Sequence, residues 1–341
     1  MPLYPLLLAP IYKEKVWGGR TLERFGRTLP GGPEARIGES WELADLAETS
    51  PSGGGGAAAR SVIRNGPLMK RTVGDVIGDF GSVVTGSMKL SPDGSFPLLF
   101  KYLDARENLS VQVHPSAAYA AEHPDAHLKS EAWYVVAADP GSVIYRGVVE
   151  GIDPEQFRVG IEKGSVAELL VEEPAVPGHC VYLPSGTVHA LGAGVLVAEV
   201  QTASDTTFRV FDWGRTDREI HVDQAMECID FSPFENGSDL SDQPPTSEGD
   251  WVARPLVACE HFEICEWTAL RESSRIFASE ELSVLMLISG SGTISWGDQE
   301  RRSVTVGAGE TVLLPAGLPS AEFSAVDDVT LLDVTPPRTE S

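Results

Sequence analysis

Apolar residues fall in short, β-branched runs separated by glycine, proline and acidic clusters. The clearest runs are Ser110–His114, Ala132–Val136, Cys180–Leu183 and Gly194–Val200, followed by Ser283–Ile288 and Thr311–Leu314. Runs of this length at intervals of about ten residues, with turn residues between them, predict a sandwich or barrel of strands. Helical signals are few. Ser116–His123 is alanine-rich, and Asp153-Pro154 is an N-cap followed by proline at the first helical position, so a helix is expected toward Lys163. Ser165-Val-Ala-Glu168 reads as a capping box opening a short helix that must stop before Pro174. His221–Ile229 has amphipathic spacing, with Val222, Ala225, Met226 and Ile229 on one side. The helical signals from about 153 to 173 lie between strand-like runs and read as an insertion in a β domain.

Two stretches break the pattern. Ser50–Ala59 is rich in glycine and alanine and reads as a surface loop, while Asn236–Asp250 is polar, acidic and proline-containing and reads as a linker. The expected division is a domain over 1–235, a linker over 236–250 and a second domain over 251–336. A diverged repeat supports this. Gly178-His-Cys-Val-Tyr-Leu-Pro184-Ser-Gly186-Thr-Val-His189 has the form G-x5-P-x-G-x2-H, and the spacing recurs from Gly309 through Pro315 and Gly317 to Ser320, where serine replaces the histidine.

Composition narrows the function. No apolar run approaches the ~18 residues of a membrane span. The apolar stretch Leu3–Tyr12 is broken by Pro5 and Pro10 and lacks a basic flank, so a cleaved signal peptide is not expected. The 26 basic residues against 50 acidic ones leave a net charge of −24, which argues against nucleic acid and anionic membranes as partners. Any phosphorylated ligand then needs a local basic cluster. Cys180, Cys228, Cys259 and Cys265 form no C-x-x-C pair and suit reduced, mostly buried thiols in a cytoplasmic protein.

The G-x5-P-x-G-x2-H segment resembles the second motif of the cupin superfamily, small double-stranded β-helix barrels in which that histidine binds a metal. The first motif would then be Gln112-Val-His114-Pro115 followed by Glu131. Gln112 and His114 project from one face of a strand, and Lys129 shares a face with Glu131 by the same parity. Gln112, His114, Glu131 and His189 form a nitrogen/oxygen set suited to Zn²⁺, or alternatively Mn²⁺ or Fe²⁺. With a single anionic ligand, such a site keeps room and charge for substrate oxygens. Cys180 lies away from the inward parity of His189.

The stretch from Phe96 to Arg215 resembles type I phosphomannose isomerases, especially the short bacterial form. Its matching pieces are Phe96–Ala105, Leu109–Pro115, Lys129–Tyr134, Pro184–Leu191 and Glu199–Arg215, joined upstream by Lys15-Val-Trp17-Gly-Gly19 and Ile37-Gly-Glu39-Ser-Trp41-Glu42. The resemblance implies a cupin catalytic domain with a small helical insertion, followed by a second, degenerate cupin domain. It implies one Zn²⁺ held by Gln112, His114, Glu131 and His189, and interconversion of mannose 6-phosphate and fructose 6-phosphate, a step of carbohydrate metabolism. Arg209 matches the residue treated as catalytic in the family, while Lys101, Lys129 and Glu199 match residues lining the same pocket.

Moving a carbonyl between C1 and C2 passes through a cis-enediol, so a base must take a proton from one carbon and return it to the other. Lys129, Glu199 and His189 are the candidate bases. Arg209 can bind an anionic oxygen bidentately. Lys101, Trp17 and Arg215 are expected to contact the substrate, with Lys101 and Arg215 contributing to the basic cluster. The alternative is a metal-containing cupin that binds a sugar or sugar phosphate without turning it over. Lys129, Glu199 and Arg209 weigh for the enzyme, because a pure binder needs no base beside its metal. The second domain, with Ser320 at the ligand position, is expected to bind no metal and to serve as a packing or dimer surface in a monomer or homodimer.

Overall fold

The computed structural model describes residues 3–50, 56–232, 237–277, 281–297, 301–318 and 320–339. Among them the chain is mainly β and builds two barrels, each from a large and a small sheet. In the first barrel, a six-stranded sheet runs in the order Cys180–Leu183, Glu131–Ala138, Val195–Thr202, Leu98–Ala105, Ile11–Gly19 and Ile37–Leu43. A five-stranded sheet faces it, ordered Leu170–Pro174, Val143–Val148, His189–Leu191, Val111–Val113 and Phe208–Phe211. The expected strand runs are thus strands, and alternation explains why. One face of Leu98–Ala105 carries Lys101 and Leu103 into the barrel, and the other carries Phe100 and Tyr102 outward into apolar packing.

That outward face meets the second barrel. Leu98, Phe100, Tyr102, Tyr134, Tyr182 and Val200 pack with Leu256, Ile264, Val284, Met286, Leu313 and Val334 of the second barrel's large sheet. The two large sheets therefore lie back to back over one apolar layer, and Cys180 is buried in it, away from the first barrel's interior. Tyr134 Oη donates to Glu266 Oε2 at 2.5 Å, and Arg254 binds Glu266 and, at 2.6 Å, the Gly178 carbonyl.

Two strands bear on the expected division of the chain. The first strand, Leu6–Ala9, pairs with Thr311–Leu314 on one side and Val62–Ile63 on the other, so it lies in the eight-stranded sheet of the second barrel. Within the stretch expected as a linker, Thr246–Glu248 is a strand paired with Trp251–Ala258. Residues 51–55 of the expected loop and residue 236 of the expected linker lie outside the described residues.

Helices occupy the rim. Pro154–Lys163 has the expected Asp153 cap, completed by Gln156 into a capping box. Ser116 caps Ala117–Glu122, and Val222–Cys228 forms at the amphipathic segment. The Ser165 capping box is corrected. The Ser165 side chain makes no cap bond, Val166–Leu169 is one 3₁₀ turn, and the chain then becomes the strand Leu170–Pro174 paired with Val143–Val148. Strand pairing there outweighs the local cap signal. The helix Val73–Phe80, buried through Val73, Val76 and Ile77, carries a Thr72–Asp75 capping box that the strand-dominated reading overlooked.

Candidate functional site

The site lies inside the first barrel, between its two sheets. Gln112 comes from Val111–Val113, and its Cα partners in the flanking strands are His189 and Arg209. His114 follows the same strand, and Glu131 opens Glu131–Ala138. A tight turn delivers His189. Thr187 N donates to the Pro184 carbonyl at 3.1 Å, and Gly186 sits at φ +87°, where a side chain is strained. The chain reverses there and begins the next strand with His189 pointing inward.

His114, Glu131 and His189 are each almost fully buried, and one donor atom from each lies within 4.8 Å of the others. Both imidazoles are fixed from behind. His114 Nδ1 donates to the Thr206 carbonyl at 3.0 Å and His189 Nδ1 to the Thr187 carbonyl at 2.8 Å. Each ring therefore turns an Nε2 lone pair into the site, the tautomer a metal ligand requires. His114 Nε2 lies 3.4 Å from Glu131 Oε2, and His189 Nε2 lies 3.2 Å from Glu131 Oε1. Acceptors thus face acceptors. Neither Glu131 oxygen has a hydrogen bond of acceptable geometry, although Lys129 Nζ stands 2.7 Å from Oε2.

Buried lone pairs held against one another call for a cation, and the Lys129 ammonium meets His114 Nε2 and Glu131 Oε2 but leaves Glu131 Oε1 and His189 Nε2 opposed. Ligands about 2.0–2.1 Å from a tetrahedral Zn²⁺ lie roughly 3.3 Å apart, close to the separations found here. The donor set therefore fits a divalent metal. Gln112 Oε1 accepts from Ser110 Oγ at 3.2 Å while its Nε2 lies 3.4 Å from His189 Nε2. Turning that amide over presents the oxygen to the cluster and leaves a donor for Ser110.

Electrostatics agree with this arrangement. Burial, then the Lys129 charge, pushes His114 down to about 3, so the ring stays neutral. Burial alone would raise the Glu131 carboxyl, but Lys129 and the flanking histidines more than offset it and hold it well below the usual carboxylate range. Lys129 Nζ also donates to His114 Nε2 at 3.0 Å.

Beside the cluster opens a cleft with a cavity volume of about 70 Å³. Gln112, Lys129, Lys101, Glu199, Arg209 and Trp17 line it, which brings together most of the residues singled out from sequence. Glu199 Oε2 accepts from Trp133 Nε1 at 2.9 Å, and Oε1 lies 3.0 Å from Lys101 Nζ, which donates to Gln201 Oε1 at 2.6 Å. Glu39 lines the cleft from the same sheet. Burial would raise it, but Lys15, Lys101 and the Trp41 N–H outweigh burial and hold it at about 2.

Arg215 is the exception. It does not line the cleft. Its guanidinium is engaged by Asp212 and, at 2.7 Å, by the Asn108 carbonyl. Lys15, Glu39, Trp41, Asp205, Thr207 and Arg218 line the cleft without having been singled out for it. Lys15, Glu39 and Trp41 stood inside the upstream family-like pieces, where their alternation on paired strands could have placed them. Arg218 carried no such signal.

Among known proteins, a family profile described as the catalytic domain of type I phosphomannose isomerase matches residues 6–141. The chain is 32% identical over 324 residues to the mannose-6-phosphate isomerase ManA of Bacillus subtilis, covering 93% of this chain and 95% of that protein. It is 30% identical over 331 residues to the mannose-6-phosphate isomerase of Streptococcus mutans, covering 94% of this chain and 95% of that one. A crystal structure of the Bacillus subtilis mannose 6-phosphate isomerase superposes with a TM-score of 0.83 at 30% identity, over 97% of this chain and 99% of that one. A Salmonella typhimurium phosphomannose isomerase structure shares the fold, with a TM-score of 0.72 at 16% identity over 98% and 99% of the two chains.

Proposed function

The chain belongs to the type I phosphomannose isomerases, and on that premise we propose that it is a metal-dependent aldose–ketose isomerase interconverting mannose 6-phosphate and fructose 6-phosphate. The observation that carries this reading is the set of opposed acceptors at His114, Glu131 and His189, joined through Gln112 and Lys129 to a cleft rich in cations. A pure core would not hold three buried acceptors together. A closed structural site would have no cleft beside it.

Gln112, His114, Glu131 and His189 are the residues to hold the metal, and the nitrogen/oxygen set favours Zn²⁺. A bound divalent cation supplies Lewis acidity, polarising a sugar oxygen and stabilising charge that develops on it. The chain supplies the rest. His189 is occupied by ligation, so Lys129 and Glu199 are the groups available to carry a proton between C1 and C2 of a cis-enediol. Lys101 and Trp133 fix the Glu199 carboxylate from both oxygens, which limits the directions in which it can accept. Arg209, next to Gln112 in register, can bind an anionic oxygen. Trp17 and Leu109 close the apolar side of the cleft and help exclude water.

The test is metal analysis of the purified protein together with fructose 6-phosphate formation from mannose 6-phosphate, with and without a chelator. Chelator-sensitive turnover with about one equivalent of Zn²⁺ is expected. Stoichiometric metal without turnover of any hexose phosphate would instead make the protein a sugar-binding module.

A further inference from the structure

Gln201 stands two residues beyond Glu199 on the strand Val195–Thr202, so both side chains leave the same face of the sheet. It is fully buried and does not line the cleft. Both ends of its amide are engaged. Nε2 donates to the Thr202 carbonyl at 3.0 Å and to the Ser204 carbonyl. Two carbonyls on that side admit only the NH2 end, so the oxygen is forced the other way, onto Lys101 Nζ at 2.6 Å. Ser204 is fixed in turn, its Oγ donating to the His127 carbonyl at 3.1 Å. The glutamine is thus a rigid arm.

What it holds is a lysine that a carboxylate also attracts. Glu199 is the register partner of Lys101, and its Oε1 lies 3.0 Å from Nζ. Burial would lower the Lys101 ammonium, but Glu199 and then Glu39 outweigh it and raise it above the usual lysine value. Yet Glu199 Oε1 receives no hydrogen bond of acceptable geometry, whereas the shorter contact to Gln201 is one. An amide therefore sets the direction of the ammonium against the pull of a charge. Left to itself, a lysine beside a buried carboxylate aligns on it, because opposite charges attract more strongly than a charge and a dipole, above all away from water.

We propose that Gln201 is a positioning residue, which holds the Lys101 ammonium off the line of Glu199 so that neither group is spent on the other and both stay available to the sugar. The assignment rests on the isomerase reading given above. Lys101 keeps N–H donors for a substrate oxygen, and Glu199, whose Oε2 is taken by Trp133, keeps the lone pair of Oε1 for a proton. In that transfer the C–H electron pair becomes the enediol double bond and the carbonyl oxygen takes the displaced charge. Glu199 becomes a carboxylic acid and returns the proton to the neighbouring carbon. Without Gln201 the ion pair closes on itself and fills Oε1.

The test is a double-mutant cycle of Gln201→Met and Lys101→Met, read in kcat/KM for mannose 6-phosphate beside the crystal structure and melting temperature of each variant. Gln201→Met is expected to lower kcat/KM about 30-fold where Lys101 is present, yet less than about 3-fold where Lys101 is already replaced. Its crystal structure should show Lys101 Nζ swung in line with Glu199 Oε1. Gln201→Glu leaves an oxygen against Lys101 but sets the other against two carbonyls. It should melt below the unmodified protein while keeping more activity than Gln201→Met. Equal losses in both backgrounds, or activities that follow melting temperature across the variants, would make Gln201 a purely structural residue and overturn the assignment. Should Gln201→Met fail to fold, the contrast of activity with melting in Gln201→Glu decides alone. If the unmodified protein does not turn over mannose 6-phosphate, the isomerase reading fails by itself. The crystal structure of Gln201→Met then still decides the positioning role, because an ammonium that stays in place refutes it.

Discussion

The two barrels share a pattern of turns and differ in what they enclose. Gly178 and Gly309 take the same left-handed backbone, at φ +88° and +84°, at the start of matching strands Cys180–Leu183 and Thr311–Leu314. Past these strands the likeness fades. Gly186 needs its positive φ, whereas Gly317 is required because a Cβ there would lie 2.6 Å from the Val83 carbonyl. The first barrel then turns His189 inward toward Glu131. The second is filled by Trp251, Trp267, Phe277 and Phe323, packed edge to face, with Leu285, Leu287 and Leu331. One scaffold thus fills its interior with buried polar groups, the other with aromatic packing. Binding capacity and cohesion are divided between them.

That contrast can be broken from either side. The largest effect is expected at the polar centre. His189→Ala removes a donor, and activity should fall on the order of 10⁴-fold, about 5.4 kcal/mol on the barrier. Metal content measured by emission spectroscopy should fall with it, while the circular dichroism stays that of a β-rich fold. Next comes the apolar centre. Phe323 is fully buried against two other aromatic rings, Trp251 and Phe277. Phe323→Ala should cost ~3–5 kcal/mol in denaturant unfolding and leave the metal stoichiometry of the remaining folded protein unchanged. A parallel loss of metal would mean that the barrels are not specialised in this way.

The smallest effect concerns an acid facing the aromatic core. Asp333 is register-paired with Cys265 and Leu285, and its Oδ1 is enclosed without a partner. Burial pushes its carboxyl from 3.8 up to about 6. A raised folded-state value means that the folded protein holds the proton more tightly, so this contribution is fully present below the unfolded value of 3.8. It is lost as pH rises through about 6. Part of the residue still meets solvent, which reduces the effect to about 1–2 kcal/mol. Asp333→Asn should flatten the stability profile between those limits and stabilise the protein at pH 7 by that amount. A profile that keeps its slope in the variant would assign the titration elsewhere.

The sequence carried the strands and the polar centre well because both depend on short-range regularities. Parity alone put Gln112 and His114 on one face, and the spacing from Gly178 to His189 encoded a turn whose geometry the fold requires. Arg215 and Arg218 show where such reading stops. They lie three residues apart in an irregular segment, where no period says which guanidinium faces inward. The choice is made by Asp212 and by the left-handed turn at Trp213 and Gly214, and both act through the folded backbone. The Ser165 capping box fails for a related reason: a strand partner distant in sequence prevails over a local preference. The capping box at Thr72 stands in the sequence as a threonine three residues before Asp75, a local signal that can be read without the fold.

The strand Leu6–Ala9 has a consequence for how the molecule comes into being. Its neighbour Thr311–Leu314 lies about 300 residues further along the chain. Until that neighbour has been made, an apolar edge is left without its partner, so assembly must close over the whole intervening span, the kind of connection that slows folding and invites mispairing. A cut between the barrels would leave the second half without two strands of its large sheet, Leu6–Ala9 and Val62–Ile63. Dividing this protein cleanly would require moving its beginning to its end, with residues 3–10 transplanted after the last strand as a circular permutant.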